Sequence, residues 1–216
     1  MVKTVSRKKA LETLEKLEST YPEAHCALNY STPWQLLVST ILSAQCTDIR
    51  VNLVTKNLFT QYPTIEDFAQ SDILRLEQDI RSTGFFRNKA KNIKACAQTL
   101  IERHGGQVPK NLEDLVLLPG VGRKTANVVL GNAFDIPGMV VDTHVGRVSR
   151  RLGWADSSTA EGIEKQLCAL LPEEKWTQTS HVLIFHGRSF CKAPTPICSQ
   201  CPILDLCPRI GVTRSK

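Results

Sequence analysis

Four cysteines crowd towards one end of the chain: Cys191, Cys198, Cys201 and Cys207, with six, two and five residues between them. Pro194, Pro196, Pro202 and Pro208 share the stretch, which marks it as a loop rather than a helix. Four thiolates in so short a loop can surround one compact centre. A [4Fe–4S] cube takes four cysteine thiolates, and this set supplies four and no histidine. Zinc is the main rival, since zinc sites built from cysteine alone exist. Structural zinc sites more often use two Cys-x-x-Cys pairs, however, and here only Cys198 and Cys201 are so spaced. Disulfides rank third. A centre whose positions are all filled by protein has none open for substrate, so it holds the fold or places it on a partner. The other cysteines, Cys26, Cys46, Cys96 and Cys168, are scattered and read as small core residues.

The second constellation is Leu118-Pro119-Gly120-Val121-Gly122-Arg123-Lys124-Thr125. It follows a short helical pattern and opens a longer one. Two glycines flanking a valine permit a tight turn with positive φ. Backbone N–H groups of such a turn, leading into a helix N-terminus, can bind a phosphate. An ordinary turn between helices is the bland alternative, and the charges argue against it. Arg123 and Lys124 fall in the first helical turn, where the helix dipole disfavours cations. A broken local rule of this kind often marks function. Arg123 is suited to a phosphate. A lysine nucleophile must be neutral to attack, and a helix N-terminus combined with burial disfavours the ammonium form, so Lys124 is well placed to be one. Val140-Val141-Asp142-Thr143-His144 follows. Asp142 reads as the N-cap of the next helix, which leaves room for a second role beside a cationic sugar.

The elements that must position these residues are helical. Residues 7–18 form an amphipathic helix with Ala10, Leu11, Leu14 and Leu17 on one side. Thr32-Pro33-Trp34-Gln35 reads as a capping box, opening a buried helix at 33–44. Thr47-Asp48 caps a helix carrying Val51, Leu53, Val54 and Leu58. Further helices are expected at 64–70, 71–82, 87–104, 111–117, 123–134, 143–152, 158–171 and 175–187. The Val and Ile runs at 127–130 and 182–185 lack hairpin partners, so the chain is assigned as all-α. Pro137-Gly138 marks the boundary between two helical halves.

With 216 residues, 42% of them hydrophobic, the chain can build a packed core in one large domain or two small ones. The net charge of +6 suits a polyanionic partner without proving one. No apolar segment follows Met1-Val2-Lys3-Thr4-Val5-Ser6-Arg7 and no run could span a bilayer, which places the protein in the cytosol or on the nucleoid. Arg81, Arg87, Lys89, Lys91 and Lys94 lie in a stretch without an acid. Arg87, Lys91 and Lys94 share one helical face, read first as a solvated one.

Taken in order, Leu42-Ser-Ala-Gln-Cys-Thr-Asp48, the 118–126 hairpin, Val141-Asp-Thr-His144 and the four-cysteine loop resemble the endonuclease III family of DNA glycosylases, from about residue 8 to residue 207. The resemblance implies two α-helical domains with a DNA groove between them. The first is a six-helix barrel over 26–136 containing a helix–hairpin–helix at about 112–131. The second joins 1–25 to 137–216 and carries the [4Fe–4S] loop at 191–207. It implies a monomer acting on double-stranded DNA that holds a damaged pyrimidine or an abasic site. The damaged base would be released and the strand then cut by β-elimination. Lys124 matches the nucleophile and Asp142 the catalytic carboxylate. Cys191, Cys198, Cys201 and Cys207 match the cluster ligands. Gln45 matches a residue that fills the gap left by the extruded base, and Phe85 falls where the family places a wedge. Gly120, Gly122, Arg123, Thr143 and His144 fall on the DNA-contacting motifs. Cys46 stands where the pattern has alanine, and Lys192 is the only basic residue between Cys191 and Cys198. The alternatives are a monofunctional adenine glycosylase, which lacks the lysine, and a non-catalytic iron–sulfur module for DNA binding or redox sensing.

Overall fold

The structure is a computed structural model and describes residues 5–216. Among the described residues every regular element is helical: eleven α-helices and four three-residue 3-10 turns. They are α1 (Arg7–Thr20), α2 (Pro33–Leu42), α3 (Asp48–Gln61), α4 (Ile65–Gln70), α5 (Ile73–Asp79), α6 (Phe86–His104), α7 (Leu112–Leu115), α8 (Arg123–Ala133), α9 (Thr143–Arg151), α10 (Ala160–Leu170) and α11 (Trp176–Ser189). Among the described residues no helix is long and apolar enough to cross a membrane.

Most of these helices start where a short polar side chain can take an orphan amide. Ser6, Thr32, Thr47, Thr64, Asp72, Asn111, Asp142 and Thr159 each accept from the backbone N–H three residues on. At α2 only half of the expected capping box forms. Thr32 takes the Gln35 amide, but the Gln35 side chain accepts from Ser31 N–H instead of closing on Thr32. Three helices have no side-chain cap. α11 runs on from the 3-10 turn Glu173–Lys175; α6 and α8 start bare, at Phe85 and Gly122.

Two compact units emerge. One is Cys26–Ile136; the other joins the chain up to His25 with Pro137–Lys216. In the first, α2 is the centre. It is predominantly apolar and buried nearly all round: every residue from Leu36 to Leu42 is buried, as is Trp34. α3, α6 and α8 pack against it. In α3 the buried positions are Val51, Thr55 and Leu58, one face at helical spacing. Leu53, an apolar residue of the same helix, is 58% exposed. Two residues along a helix turn the side chain by about 200°, so it cannot share a face with Val51. The helix expected at 71–82 breaks at Ile80 (φ −102, ψ 5) into α5 and the 3-10 turn Arg81–Thr83.

The second unit is built from α1 and α9–α11. α9 and α11 approach so closely that a Cβ on Gly187 would stand 3.0 Å from the His144 Cβ. α1 packs on α11, and Lys175 Nζ donates to the Glu18 carboxylate at 2.9 Å. Of the scattered cysteines only Cys96 is fully buried. Cys26 and Cys46 lie half-buried against the first unit's core, and Cys168 against the second's.

Candidate active site and cysteine centre

The 115–125 hairpin is anchored by its apolar residues: Leu115, Leu118 and Val121 are buried. The two glycines serve different needs. Gly120 has φ +78, and a Cβ there would stand 2.8 Å from the Asn92 Cβ on α6. Gly122 has φ −91 and ψ 172, ordinary extended backbone, with open space where a side chain would go. The pair of glycines permits a turn with positive φ, and it is Gly120 that adopts it. Arg123 and Lys124 follow in the first turn of α8, and both are exposed. Burial of Lys124 therefore does not occur. α8 turns Ala126, Asn127, Val129 and Leu130 inward, and Lys124 lies about 200° from Ala126. What acts on its amine is the positive end of an uncapped helix.

Asp142 starts α9 in the other unit, its Oδ1 accepting from Val145 N–H at 2.8 Å. Its second carboxylate oxygen has no part in that cap bond. Thr143 is exposed, and half-buried His144 holds its Nδ1 3.1 Å from an Arg147 guanidinium nitrogen.

Gln45 and Phe85 share a backbone property. Among the described residues only four non-glycine positions have positive φ: Gln45 (+53), Phe85 (+48), Asp135 and Arg209. Such a conformation costs about 1 kcal/mol or more, and it persists only where the surroundings impose it. Gln45 is exposed in the turn after α2, and Phe85 is 64% exposed in the turn before α6. The basic stretch beside Phe85 splits. Arg81, Arg87 and Lys91 are exposed, while Lys94 donates to Ser71 O at 2.6 Å and Lys89 is buried. The Arg81 and Arg87 guanidinium groups lie 5.9 and 5.6 Å from the Phe86 ring centre.

All four tail cysteines line one cavity. Val148, Leu152, Phe190, Ile197 and Leu204 supply apolar walls, Arg151, Arg209 and the buried His186 also line it, and no carboxylate is in the lining. Arg151 fastens the loop's first turn. One nitrogen donates to Cys191 Sγ (3.3 Å), Cys191 O (3.3 Å) and Lys192 O (2.8 Å), and the other to Pro194 O (3.1 Å). Arg147 Nε adds a bond to Cys191 O at 2.9 Å. These arginines lie four apart on α9, on one face, a signal that sequence reading missed. His186 was missed as well. Its Nδ1 lies 3.0 Å from Tyr21 Oη and its Nε2 3.7 Å from Cys201 Sγ. Burial pushes the Cys201 thiol up to about 11 and moves Cys207 the same way.

Burial also pushes His181 and His186 down to about 4, with His25 adding to the effect on His181. Between the ordinary histidine value of 6.5 and about 4, the unfolded chain therefore binds protons that the folded chain does not. Stability rises with pH across that window, is complete above 6.5 and falls away as the pH drops towards 4. A melting temperature that drops steadily over this window is expected. A His181→Gln variant should show a shallower drop, and an unchanged slope counts against the burial argument.

Residues 38–173 match the family described as HhH-GPD superfamily base excision DNA repair protein. The endonuclease III of Bacillus subtilis (strain 168) is 50% identical over 206 residues, 94% of this chain and 93% of that protein. Two solved structures, a non-covalent endonuclease III–DNA complex and a trapped endonuclease III–DNA covalent intermediate, each superpose with a TM-score of 0.90 at 45% identity. Each comparison covers 95% of this chain and 97% of the other. The chain belongs to the endonuclease III family, within the HhH-GPD superfamily of base excision DNA repair proteins.

Proposed function

We propose that the protein is a DNA glycosylase and AP lyase that releases oxidised pyrimidines and then cuts the strand 3′ to the abasic site. The observation that carries this reading is Lys124: an exposed amine in the first turn of a bare helix, directly after a tight glycine hairpin. The family and the likeness to a DNA-trapped relative support it.

Chemistry at the anomeric carbon cannot occur inside the base stack, so the damaged nucleotide is flipped out. Gln45 and Phe85 fill the vacancy. The neutral Lys124 amine attacks C1′, the glycosidic bond breaks, and its electron pair leaves with the base, which takes up a proton. The amine then gives up a proton, the C1′–O4′ bond breaks as O4′ takes up a proton, and the protonated Schiff base formed by this ring opening acidifies the C2′ proton. Loss of that proton expels the 3′ phosphate, and the C3′–O bond breaks. Asp142 is assigned the carboxylate that offsets the developing positive charge on the sugar. Gly122, Arg123, Thr143 and His144 are assigned to the DNA backbone.

The glycines separate folding from binding. Gly120→Ala is expected to cost about 2 kcal/mol of stability, because it combines a positive φ with a clash. Gly122→Ala meets open space and extended backbone, so it is expected to leave the melting temperature unchanged while weakening DNA binding, where a phosphate must approach closely. Thermal melts and DNA titrations of both variants check this.

The thiol set fits a [4Fe–4S] cluster. Four sulfurs ring a cavity free of carboxylates, with guanidinium groups in the lining to balance an anionic centre. Zinc is the rival, and structural zinc sites more often use two Cys-x-x-Cys pairs, whereas here only Cys198 and Cys201 are so spaced. Cys191, Cys198, Cys201 and Cys207 would hold the cluster, whose iron–thiolate bonds cross-link the loop.

Borohydride trapping on duplex DNA holding one oxidised thymine tests the function. A covalent protein–DNA adduct is expected; free base released without any adduct would point to the monofunctional reading instead.

A further inference from the structure

Lys89 has no place in the scheme so far, and it is unusual for a lysine. It lies one turn into α6, is 5% exposed, and sits among the core side chains of the Cys26–Ile136 unit. Its Nζ donates to Leu42 O at 2.8 Å and to Thr83 O at 2.7 Å. Both partners are backbone carbonyls, not a carboxylate. A buried ammonium is expensive to desolvate, and a methionine would fill similar volume without that cost. Its retention calls for a reason in what it joins.

Leu42 is the last residue of α2, and the turn that follows carries Gln45 in its left-handed conformation. Thr83 closes the 3-10 turn before Gly84 and Phe85, where φ is +71 and +48. The Cys46 side chain lies within electrostatic range of the same ammonium. α3, which begins just after the Gln45 turn, packs against the Arg81–Thr83 turn. One cation therefore anchors the two chain segments that lead into the two exposed, strained side chains. No side chain caps α6 at Phe85, so the Lys89 bond to Thr83 O is a polar tie between that turn and the helix body.

We propose that Lys89 is a positioning residue that clamps the Gln45 and Phe85 turns together, so that they enter the duplex as one rigid wedge. The proposal rests on reading Gln45 and Phe85 as the residues that fill the vacated stack. Lys89 does not reach solvent and touches neither DNA nor the reacting sugar. Its effect falls on extrusion of the nucleotide from an intact helix, and not on the bond-breaking steps.

The test is single-turnover kinetics on two substrates, a duplex with one oxidised thymine and a single strand with one abasic site. Lys89→Met is expected to be about tenfold or more slower on the duplex, the worth of a hydrogen bond to a charged group, and about as fast as wild type on the single strand. An unstacking-sensitive fluorescent base beside the lesion should report slower extrusion in step with the duplex rate. Lys89→Arg, which keeps the charge and the donors, should recover much of the loss. Lys89→Met should add little to a Gln45→Ala/Phe85→Ala protein. If Lys89→Met does not fold, Lys89→Gln reaches one carbonyl and should be slowed on the duplex alone. A folded Lys89→Met or Lys89→Gln protein that matches wild type on the duplex overturns the proposal, as does equal loss on both substrates. If Gln45→Ala and Phe85→Ala leave the duplex rate unchanged, the wedge reading fails instead, whatever Lys89 does.

Discussion

Lys124→Gln is expected to leave the fold intact while removing strand cleavage at abasic sites by at least about a thousandfold, since the step loses its only nucleophile. The borohydride adduct should vanish with it. Three features isolate this effect from stability. Lys124 is exposed, so its removal opens no cavity. The inward face of α8 is carried by Ala126, Asn127, Val129 and Leu130, which the change leaves alone. The side chain sits at the positive end of an uncapped helix, where a cation is unfavourable by about 0.3–1 kcal/mol. The variant should therefore melt at the wild-type temperature or slightly above it. DNA binding should weaken only modestly, with the salt slope falling by about one at most. Activity lost together with a large drop in melting temperature would mean that Lys124 holds the structure rather than attacking the sugar. Strand cleavage at the wild-type rate would remove it from the mechanism altogether.

The helices were legible because their signals are local. A Thr, Ser, Asp or Asn side chain reaches the amide three residues on, and that reach is written in the spacing. Eight of the eleven helices begin this way. Burial was less legible, because it depends on which helix lies opposite. Lys89 looks like one more cation in a basic stretch, and only the carbonyls of Leu42 and Thr83 make it internal. Leu53 has the right type for the core and the wrong angle. Lys124 is exposed where the sequence suggests partial burial, since α8 needs its other face inside. Gly122 shows the limit most clearly: it is the N-cap of α8 in extended backbone, with open space where a side chain would go. The departures from local rules are themselves informative. α6 and α8 lack a side-chain cap, and they begin at Phe85 and beside Lys124, the two helix ends proposed to act on DNA.

Loss of one thiolate from the cysteine centre is expected to have the second large effect, this time on stability. Cys201→Ala should abolish the brown visible absorbance and lower the melting temperature by about 10 °C or more, corresponding to about 3–5 kcal/mol in a chain of this size. The loop has little else to hold it. Its regular structure is two three-residue turns, Cys198–Gln200 and Leu204–Leu206, neither with a side-chain cap. Within the loop the Arg147 and Arg151 guanidinium groups bind backbone at Cys191, Lys192 and Pro194, and Arg151 O accepts from Ile210 N–H at 3.0 Å where the loop ends. Further along, Ile203 is buried in the core of its unit, and the tail is tied back by Lys216 N–H to Pro196 O and Ser199 N–H to Lys216 O, both 2.9 Å. Without a centre, the Cys201 and Cys207 thiols would be left neutral in an apolar cavity, since burial already raises both. Hydrogen exchange should therefore speed up through 198–210 while 191–194, held by the arginines, stays protected. Cys96→Ala is the control. Cys96 is fully buried in the other unit, so its loss should cost some stability and leave the colour unchanged. A colourless wild-type protein that holds tightly bound zinc would overturn the iron–sulfur assignment, and a Cys201→Ala protein with undiminished colour would remove Cys201 from the ligand set.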